Sequence, residues 1–233
     1  MPPAIFVIGM VIFLFTFLTI VHRLEKRLVW PYSELQAQPY FDDPTGYGAR
    51  WVSVAVQSGF TLLGWARDLK GETYRISYAM LVSPDRTTLA IIGVGALLKM
   101  PLQGTWMHTP SLDGRSFYST DKQAGVQIDL SGNWRNQLAP EPGFVRLWQR
   151  HRAWIRDLAI APRPFTEGRE LEEFRALREQ HYRAMERAGL ITYTDASATQ
   201  WQFTLLGAAK TATWSYFVGL IRAVTRGRFP RNA

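Results

Sequence analysis

The stretch YRISYAMLVSPDRTTLAIIGVGALL, residues 74–98, decides the fold class of this chain. Two apolar runs, Tyr74–Val82 and Thr88–Leu98, are typical of strands, and the first is rich in aromatic and β-branched side chains. The segment SPDR between them, residues 83–86, favours a turn. A connection this short permits only antiparallel pairing, because parallel neighbours need a crossover of about a dozen residues. The stretch therefore predicts two adjacent antiparallel strands.

Similar runs on both sides extend this sheet. One run precedes it at Phe60–Ala66, and three shorter ones follow: Thr105–His108, Arg115–Thr120 and Val126–Leu130. Gly93 and Gly95 occupy alternate positions in the run Thr88–Leu98, and glycines in a strand often mark a bulge or a close approach of two backbones. Because short turns separate consecutive runs, we predict a curved antiparallel β meander of five or six strands with one face covered.

After PEPG at residues 140–143, apolar residues begin to recur at helical spacing. The first helix has the apolar positions Phe144, Trp148, His151, Ile155 and Leu158. A second helix is predicted over Glu167–Ala188, with the stripe Leu171, Phe174, Arg178, His181, Met185 and Ala188. A third is predicted from Thr199 to about Thr225. Helices packed on an antiparallel sheet make an α+β fold.

The opening segment differs from everything after it. Ala4–Val21 contains 18 residues without a charge, and Phe6, Phe13 and Phe17 are spread around the helix that it would form. Such a helix is roughly 27 Å long, close to the thickness of the hydrocarbon layer of a bilayer. A helix that is apolar on all sides belongs in lipid or in a large core. The segment predicts an N-terminal single transmembrane helix that acts as an uncleaved signal-anchor.

The basic residues Arg23, Lys26 and Arg27 directly follow this segment. The positive-inside rule then places the bulk of the chain in the cytoplasm, at the cell (inner) membrane. The expected organisation is an anchor over 1–28, a linker over 29–50, a β-rich region over 51–140 and a helical region packed on it over 141–233.

The third predicted helix has two interpretations. Its apolar content suits a second membrane span, but Lys210 would cost roughly 2.5–3.5 kcal/mol at the centre of a bilayer. An amphipathic helix is the other interpretation, since small residues recur every four positions and favour close packing. These helix-packing candidates are Gly207, Thr211, Ser215 and Gly219. Beyond them, Arg222, Arg226 and Arg228 join Arg23, Lys26 and Arg27 as candidates for contact with an anionic membrane surface.

Composition excludes some chemistries and leaves others open. The chain has no cysteine, which excludes disulfides, thiolate nucleophiles and cysteine-based metal sites. The net charge of +8 makes anionic lipid or nucleic acid candidate partners. Arg146, Arg150, Arg152 and Arg156 with Trp148 and Trp154 form a basic, aromatic helix. No nucleic-acid-binding signature accompanies them. The predicted anchor also favours lipid over nucleic acid as the anionic partner.

The best polar cluster for catalysis is His108, Ser119 and Asp121, with Asp113 between them. The residue types suit a nucleophile with its base, but a triad is defined by geometry rather than by proximity in sequence. The alternative is structural: Asp113 makes a hairpin turn and Asp121 ends a strand. GVGALL at residues 93–98 lacks the third glycine of a dinucleotide fingerprint, and no metal motif is present, so we expect neither cofactor nor metal.

These patterns predict a non-enzymatic, membrane-anchored accessory, scaffold or binding protein held at the cytoplasmic membrane face. The expected partners are the lipid bilayer and a membrane protein complex. One alternative is a membrane-bound hydrolase that uses the region of His108, Ser119 and Asp121. Another is a lipid- or ligand-binding module that uses the concave face of the sheet. His151 and His181 lie on apolar helix stripes and are interpreted as structural, hydrogen-bonded histidines.

Overall fold

A computed structural model describes residues 3–43, 45–69, 74–97, 100–121, 134–139 and 143–213. Its helices are α1 (Pro3–Leu24), α2 (Tyr47–Gln57), α3 (Phe144–Asp157) and α4 (Glu170–Arg187). Its strands are β1 (Arg27–Leu28), β2 (Thr61–Arg67), β3 (Tyr74–Val82), β4 (Leu89–Leu97), β5 (Met100–Pro110), β6 (Ser116–Thr120), β7 (Trp134–Leu138), β8 (Ile191–Tyr193) and β9 (Gln200–Phe203). A helical stretch also covers residues 205–213.

The chain divides into two compact units. The central unit is Trp30–His181, and the terminal unit combines Met1–Val29 with Tyr182–Ala233. The central unit contains the six-stranded sheet with α2, α3 and most of α4. The terminal unit contains α1 and a three-stranded sheet in the order β1-β9-β8. The α+β class predicted from the sequence is therefore confirmed.

The six-stranded sheet has the order β2-β3-β4-β5-β6-β7. Its first five strands form the predicted antiparallel meander, but β7 pairs parallel to β6, so the sheet is mixed. A parallel pair is possible here because thirteen residues separate Thr120 from Trp134, enough for a crossover. The strand predicted at Val126–Leu130 lies outside the described residues.

Both faces of this sheet are covered, where the sequence analysis expected one. On the α3 face, Ala79, Ile92 and Met107 pack with side chains of α2 and α3. On the α4 face, Val82 and Ile91 pack with side chains that include those of Phe174 and Leu177 on α4. Burial on two sides explains why the β4 sequence LAIIGVGAL is almost continuously apolar instead of alternating.

Helix α2 replaces the end of the predicted linker and the start of the predicted β region. The β-branched residues of WVSVAV favoured a strand, but Tyr47, Trp51 and Ala55 recur at helical spacing. The Tyr47 and Trp51 rings stack with centroids 4.6 Å apart, and the Trp51 ring meets the edge of Phe144 on α3 at 6.3 Å. Packing on one side of the helix outweighs the weak local preference for a strand.

Strand β9 takes the place of the first turn of the third predicted helix. Gln200–Phe203 alternates between half-buried and buried side chains, which is the period of a strand. The helical stretch starts after Thr204, whose Oγ1 accepts a hydrogen bond from the Gly207 N–H at 3.1 Å and so caps it. The part of the predicted helix beyond residue 213 lies outside the described residues.

Within the part of the chain that the structure describes, no helix combines the length and the hydropathy needed to cross a bilayer.

Candidate functional site

A buried hydrogen-bonded pair joins the sheet to helix α3. Ser119 on β6 and His151 on α3 are both fully buried, and the Ser119 Oγ lies 2.5 Å from His151 Nδ1. Ser119 faces α3 because its neighbours Tyr118 and Thr120 point to the other side of the sheet. His151 faces the sheet because it shares the apolar side of α3 with Leu147 and Ile155. Of the two hydroxyl contacts of His151, this is the shorter.

The pair is part of a longer polar chain beneath α3. Gln137 Nε2 on β7 donates to the Ser119 Oγ at 2.8 Å, and His151 Nε2 lies 2.8 Å from the Thr109 Oγ1 on β5. The Thr109 hydroxyl in turn lies 2.9 Å from the Thr88 Oγ1. An amide nitrogen can only donate, so the Ser119 Oγ accepts from Gln137 and keeps its own hydrogen available for His151 Nδ1. The tautomer that matches this donation carries its proton on Nε2, facing the Thr109 Oγ1.

Burial controls the protonation of His151. Desolvation lowers the pKa of His151 to about 3, which keeps the imidazole neutral near pH 7. In a hydrolytic triad, a carboxylate on the far nitrogen stabilises the imidazolium that forms when the histidine removes a proton. Here the group on that nitrogen is the Thr109 hydroxyl. The arrangement therefore links α3 to the sheet by neutral hydrogen bonds and places a hydroxyl, not a carboxylate, on the far nitrogen of His151.

The predicted candidate His108 lies on the other side of the sheet. It pairs with Tyr118 in the β5–β6 register, so it shares the α4 face with Tyr118 whereas Ser119 faces α3. Its ring centroid lies 4.5 Å from that of Tyr118, 4.7 Å from that of Phe174 and 5.4 Å from that of Trp134. The structure therefore brings Ser119 together with His151 and separates it from His108.

The two predicted aspartates have local partners. Asp121 follows β6 and accepts hydrogen bonds from the Tyr47 hydroxyl and from the Thr105 N–H, each at 2.8 Å. Asp113 accepts from Arg115 Nε at 2.8 Å, from the Arg115 N–H at 3.1 Å and from the Ser111 hydroxyl. These donors hold the pKa of Asp113 below its usual range. Asp121 ties α2 to the end of the sheet, and Asp113 closes the β5–β6 turn.

Helix α4 adds a second buried polar cluster that sequence analysis did not select as a site. Arg178 and His181 are 5% and 3% exposed, and the Arg178 guanidinium lies 5.9 Å from the rings of both Tyr32 and Phe174. His181 stacks on Trp134 at 4.6 Å. Burial, reinforced by the charge of Arg178, lowers the pKa of His181 to about 3. The signal was available, since both residues occupy the predicted apolar stripe of this helix.

Burial and the Arg178 charge also lower the pKa of His108 well below its ordinary value. In the described part of the chain, His108 Nδ1 has no hydrogen-bond partner. The imidazole is therefore a neutral aromatic ring among aromatic rings, and its neighbourhood on the α4 face is defined by stacking and edge contacts.

The structure describes three of the six predicted membrane-surface residues. Arg27 donates to Glu25 at 2.5 Å, and its guanidinium lies 5.0 Å from the ring of Phe203 and 5.5 Å from that of Trp201. Arg23 is half-buried and Lys26 is exposed. The remaining candidates, Arg222, Arg226 and Arg228, lie outside the described residues.

The predicted helix-packing residues are described in part. A Cβ atom added to Gly207 would lie 1.9 Å from the Leu190 carbonyl oxygen, so the two backbones approach closely at this position. Thr211 is buried, and its Oγ1 donates to the Gly207 carbonyl at 2.9 Å. Ser215 and Gly219 lie outside the described residues.

The described residues contain no group of three or more His, Asp or Glu side chains arranged to hold a metal ion. Comparisons of the chain with protein-family models, with curated proteins and with solved structures find no match.

Proposed function

We propose that this protein is a single-pass, membrane-anchored accessory or scaffold protein, non-enzymatic, whose folded units are held at the cytoplasmic face of the cell membrane. The mechanism is tethering, in which α1 restricts the rest of the chain to the membrane surface. A partner in a membrane complex then meets the protein in two dimensions and at a raised effective concentration.

The observation that carries the proposal is the exposed apolar surface of α1. Ile12, Phe13, Phe17 and Leu24 are 60%, 70%, 51% and 72% exposed. Burying one such side chain is worth about 1.5–3 kcal/mol, so several of them on one helix favour transfer into a hydrophobic phase. The 22 residues of α1 extend about 33 Å, comparable with the hydrocarbon thickness of a bilayer, although its described residues do not combine this length with the hydropathy of a span.

The charges after α1 support the proposed orientation. Arg23, Lys26 and Arg27 lie within or just after its last turn, and Glu25 is their single acidic neighbour there. Lys and Arg next to a span are retained on the cytoplasmic side. The folded units follow this basic segment and are proposed to share its side of the membrane.

The buried state of Ser119 and His151 supports a non-enzymatic role. Both residues are 0% exposed, so a substrate reaches them only if α3 leaves the sheet. The second candidate function, a membrane-bound hydrolase, is favoured by the 2.5 Å contact between the same two side chains. A fluorophosphonate probe distinguishes the two, because it labels an activated serine covalently. We expect the probe to leave the full chain in membranes unlabelled at Ser119. Labelling of the wild type that disappears in Ser119→Ala would favour the hydrolase.

The anchor is tested by alkaline extraction of membranes that contain the full chain. We expect the protein to stay with the lipid, and we expect Phe13→Arg/Phe17→Arg to lower the retained fraction strongly. Val56→Arg is the matched control, since Val56 is a 48% exposed apolar residue on α2 in the central unit. Release of the wild-type chain into detergent-free buffer as a dispersed monomer would overturn the proposal.

Orientation is tested with a single engineered thiol, because the chain has no cysteine. Ser53 is exposed on α2, so Ser53→Cys provides one reactive site in the central unit. A membrane-impermeant maleimide should label it in inside-out vesicles and leave it unlabelled in right-side-out vesicles. The reverse pattern would place the folded units outside.

Affinity purification of the full chain in mild detergent, compared with Phe13→Arg/Phe17→Arg, then identifies the partners that depend on the anchor.

A further inference from the structure

Helix α3 has a solvent face with an unusual charge balance. Its 14 residues contain Arg146, Arg150, Arg152 and Arg156 but a single acidic residue, Asp157. All four arginines are exposed, whereas Leu147, His151 and Ile155 are buried against the sheet. The arginines therefore occupy the side of α3 that points away from the core, over about 15 Å of helix length.

Most of this charge is not neutralised by the protein itself. Among the residues that the structure describes, Arg146 and Arg150 have no ion-pair partner. Arg156 meets Asp157 at 3.6 Å, but both side chains are more than two-thirds exposed, so solvent screens the pair. Arg152 lies 5.3 Å above the Trp148 ring and also helps to lower the pKa of Asp85.

On helix α4, by contrast, exposed arginines are paired with carboxylates. Arginines on this helix and directly before it have carboxylate partners one turn away: Arg175 with Glu179 at 3.0 Å, and the preceding Arg169 with Glu172 at 2.9 Å. This is the usual arrangement on a solvated helix, in which charges of both signs alternate. The excess of guanidinium groups on α3 is therefore specific to the face of the sheet that α3 covers.

We infer that the exposed arginine face of α3 is a docking surface for the phosphate groups of anionic membrane lipids. The inference rests on the proposed function, since a tethered central unit stays close to headgroups and meets them at high effective concentration. A planar guanidinium donates paired hydrogen bonds that match phosphate geometry. Trp148 and Trp154 are half-buried beside the arginines, and tryptophan favours the lipid–water interface.

The arginine face of α3 is then the side of the central unit that faces the membrane. Each arginine contributes about a five-fold factor to the equilibrium between surface-bound and free states, so neutralising two of them shifts it about 25-fold. The attraction is electrostatic between exposed groups, so it weakens as salt rises above physiological concentration.

The test uses the full chain in nanodiscs and measures which side of the central unit faces the lipid. Gln149 lies exposed between the arginines of α3, and Ala176 lies exposed on α4 at the opposite side of the sheet. Gln149→Cys and Ala176→Cys, each carrying a nitroxide, report collisions with nickel chelated to lipid headgroups. In anionic nanodiscs we expect at least twice the collision rate at position 149. In neutral lipid the two positions should be equal.

Charge variants with a matched control complete the test. Arg146→Gln/Arg150→Gln should abolish the difference, whereas Arg169→Gln/Arg175→Gln removes the same charge from the α4 side and should leave it intact. Equal collision rates in wild-type anionic nanodiscs overturn the inference while leaving the anchor proposal standing. Failure of the chain to enter nanodiscs overturns both. Binding of a single-stranded RNA oligonucleotide that depends on Arg146 and Arg150, without proximity to lipid, reassigns the surface to nucleic acid and also overturns the inference.

Discussion

The Ser119 hydroxyl and Nδ1 of His151 share a hydrogen bond across the space between β6 and α3, with Oγ and Nδ1 2.5 Å apart. This contact joins residues 32 positions apart in sequence and is enclosed by protein on all sides. Because Gln137 and Thr109 occupy the remaining positions on the two groups, replacement of one member leaves its neighbours buried and unsatisfied.

Ser119→Ala should therefore destabilise the protein. The substitution leaves His151 Nδ1 without its hydrogen-bond partner and Gln137 Nε2 without its acceptor, at a cost of about 1–3 kcal/mol in the free energy of unfolding. Urea unfolding of the full chain in mild detergent, followed by tryptophan fluorescence, measures the change. Ser53→Ala on the exposed side of α2 is the control and should change the free energy by less than about 0.5 kcal/mol. Equal stability of the two variants would show that the hydrogen bonds of Ser119 do not stabilise the fold.

The burial of His151 predicts a specific pH dependence. Its pKa is about 3 in the folded protein, against about 6.5 in an unfolded chain. Between these values the unfolded state binds a proton that the folded state does not. The contribution of His151 is therefore fully present above pH 6.5 and is lost as pH falls, by about 1.4 kcal/mol per pH unit.

The matching measurement compares wild type with His151→Gln at pH 7.5, 6 and 5. His181 and the carboxylates titrate in both proteins, so the difference between the two slopes isolates His151. The slope of the variant should be shallower by about 1.4 kcal/mol per pH unit below pH 6. Identical slopes would mean that His151 is accessible to protons in the folded state.

Gly95 in β4 should not tolerate a side chain. Its φ is +155°, and an added Cβ would lie 1.9 Å from the Arg75 carbonyl oxygen on the paired strand. Gly95→Ala should therefore lower the free energy of unfolding by about 1–3 kcal/mol. Gly143→Ala is the control, because Gly143 has no atom within 4 Å of the added Cβ. A thermal unfolding comparison of the two variants checks this, and equal midpoints would contradict the close approach.

Glu170 should contribute more to stability than the neighbouring surface carboxylate Glu172. Glu170 is 7% exposed in its side chain and accepts from Arg86, which also donates to the Phe165 carbonyl at 3.3 Å. Glu170→Ala leaves the partly buried guanidinium with only the 89% exposed Glu167 carboxylate at 3.8 Å, and about 2 kcal/mol of stability should be lost. Glu172→Ala breaks an exposed pair with Arg169 that solvent screens, so it should change the free energy of unfolding much less than Glu170→Ala does. Denaturant unfolding of both variants distinguishes the pairs.

Much of the sheet could be predicted from the sequence, because turns such as Ser83–Arg86 limit how neighbouring strands pair. The boundaries of β3 match the predicted run, and β2, β4 and β6 match it within about one residue. Strand β7 was missed because WRNQL has a weak apolar pattern: only Trp134 in it is buried. Helix α2 was missed because its β-branched residues favoured a strand and its helical spacing is set by contacts with α3.

The candidate site was less predictable than the fold. Proximity in sequence grouped His108 with Ser119, but alternation along β5 and β6 places them on opposite faces. The helical spacing places His151 on the apolar side of its helix and predicts a hydrogen-bonded side chain, and its contacts with Ser119 and Thr109 confirm that it is hydrogen-bonded. Its partners could not be predicted, because which helix packs on which sheet face depends on the tertiary fold.

The parallel pairing of β7 has a kinetic consequence. Neighbouring strands β3 and β4 meet through a seven-residue separation at Val82 and Leu89, whereas Ser116 and Trp134 must be brought together across eighteen residues. Closing the longer loop costs more chain entropy before any contact repays it. We expect β7 to join a meander that is already assembled. A destabilising change such as Gln137→Ala should therefore speed unfolding and leave the refolding rate nearly unchanged in stopped-flow experiments.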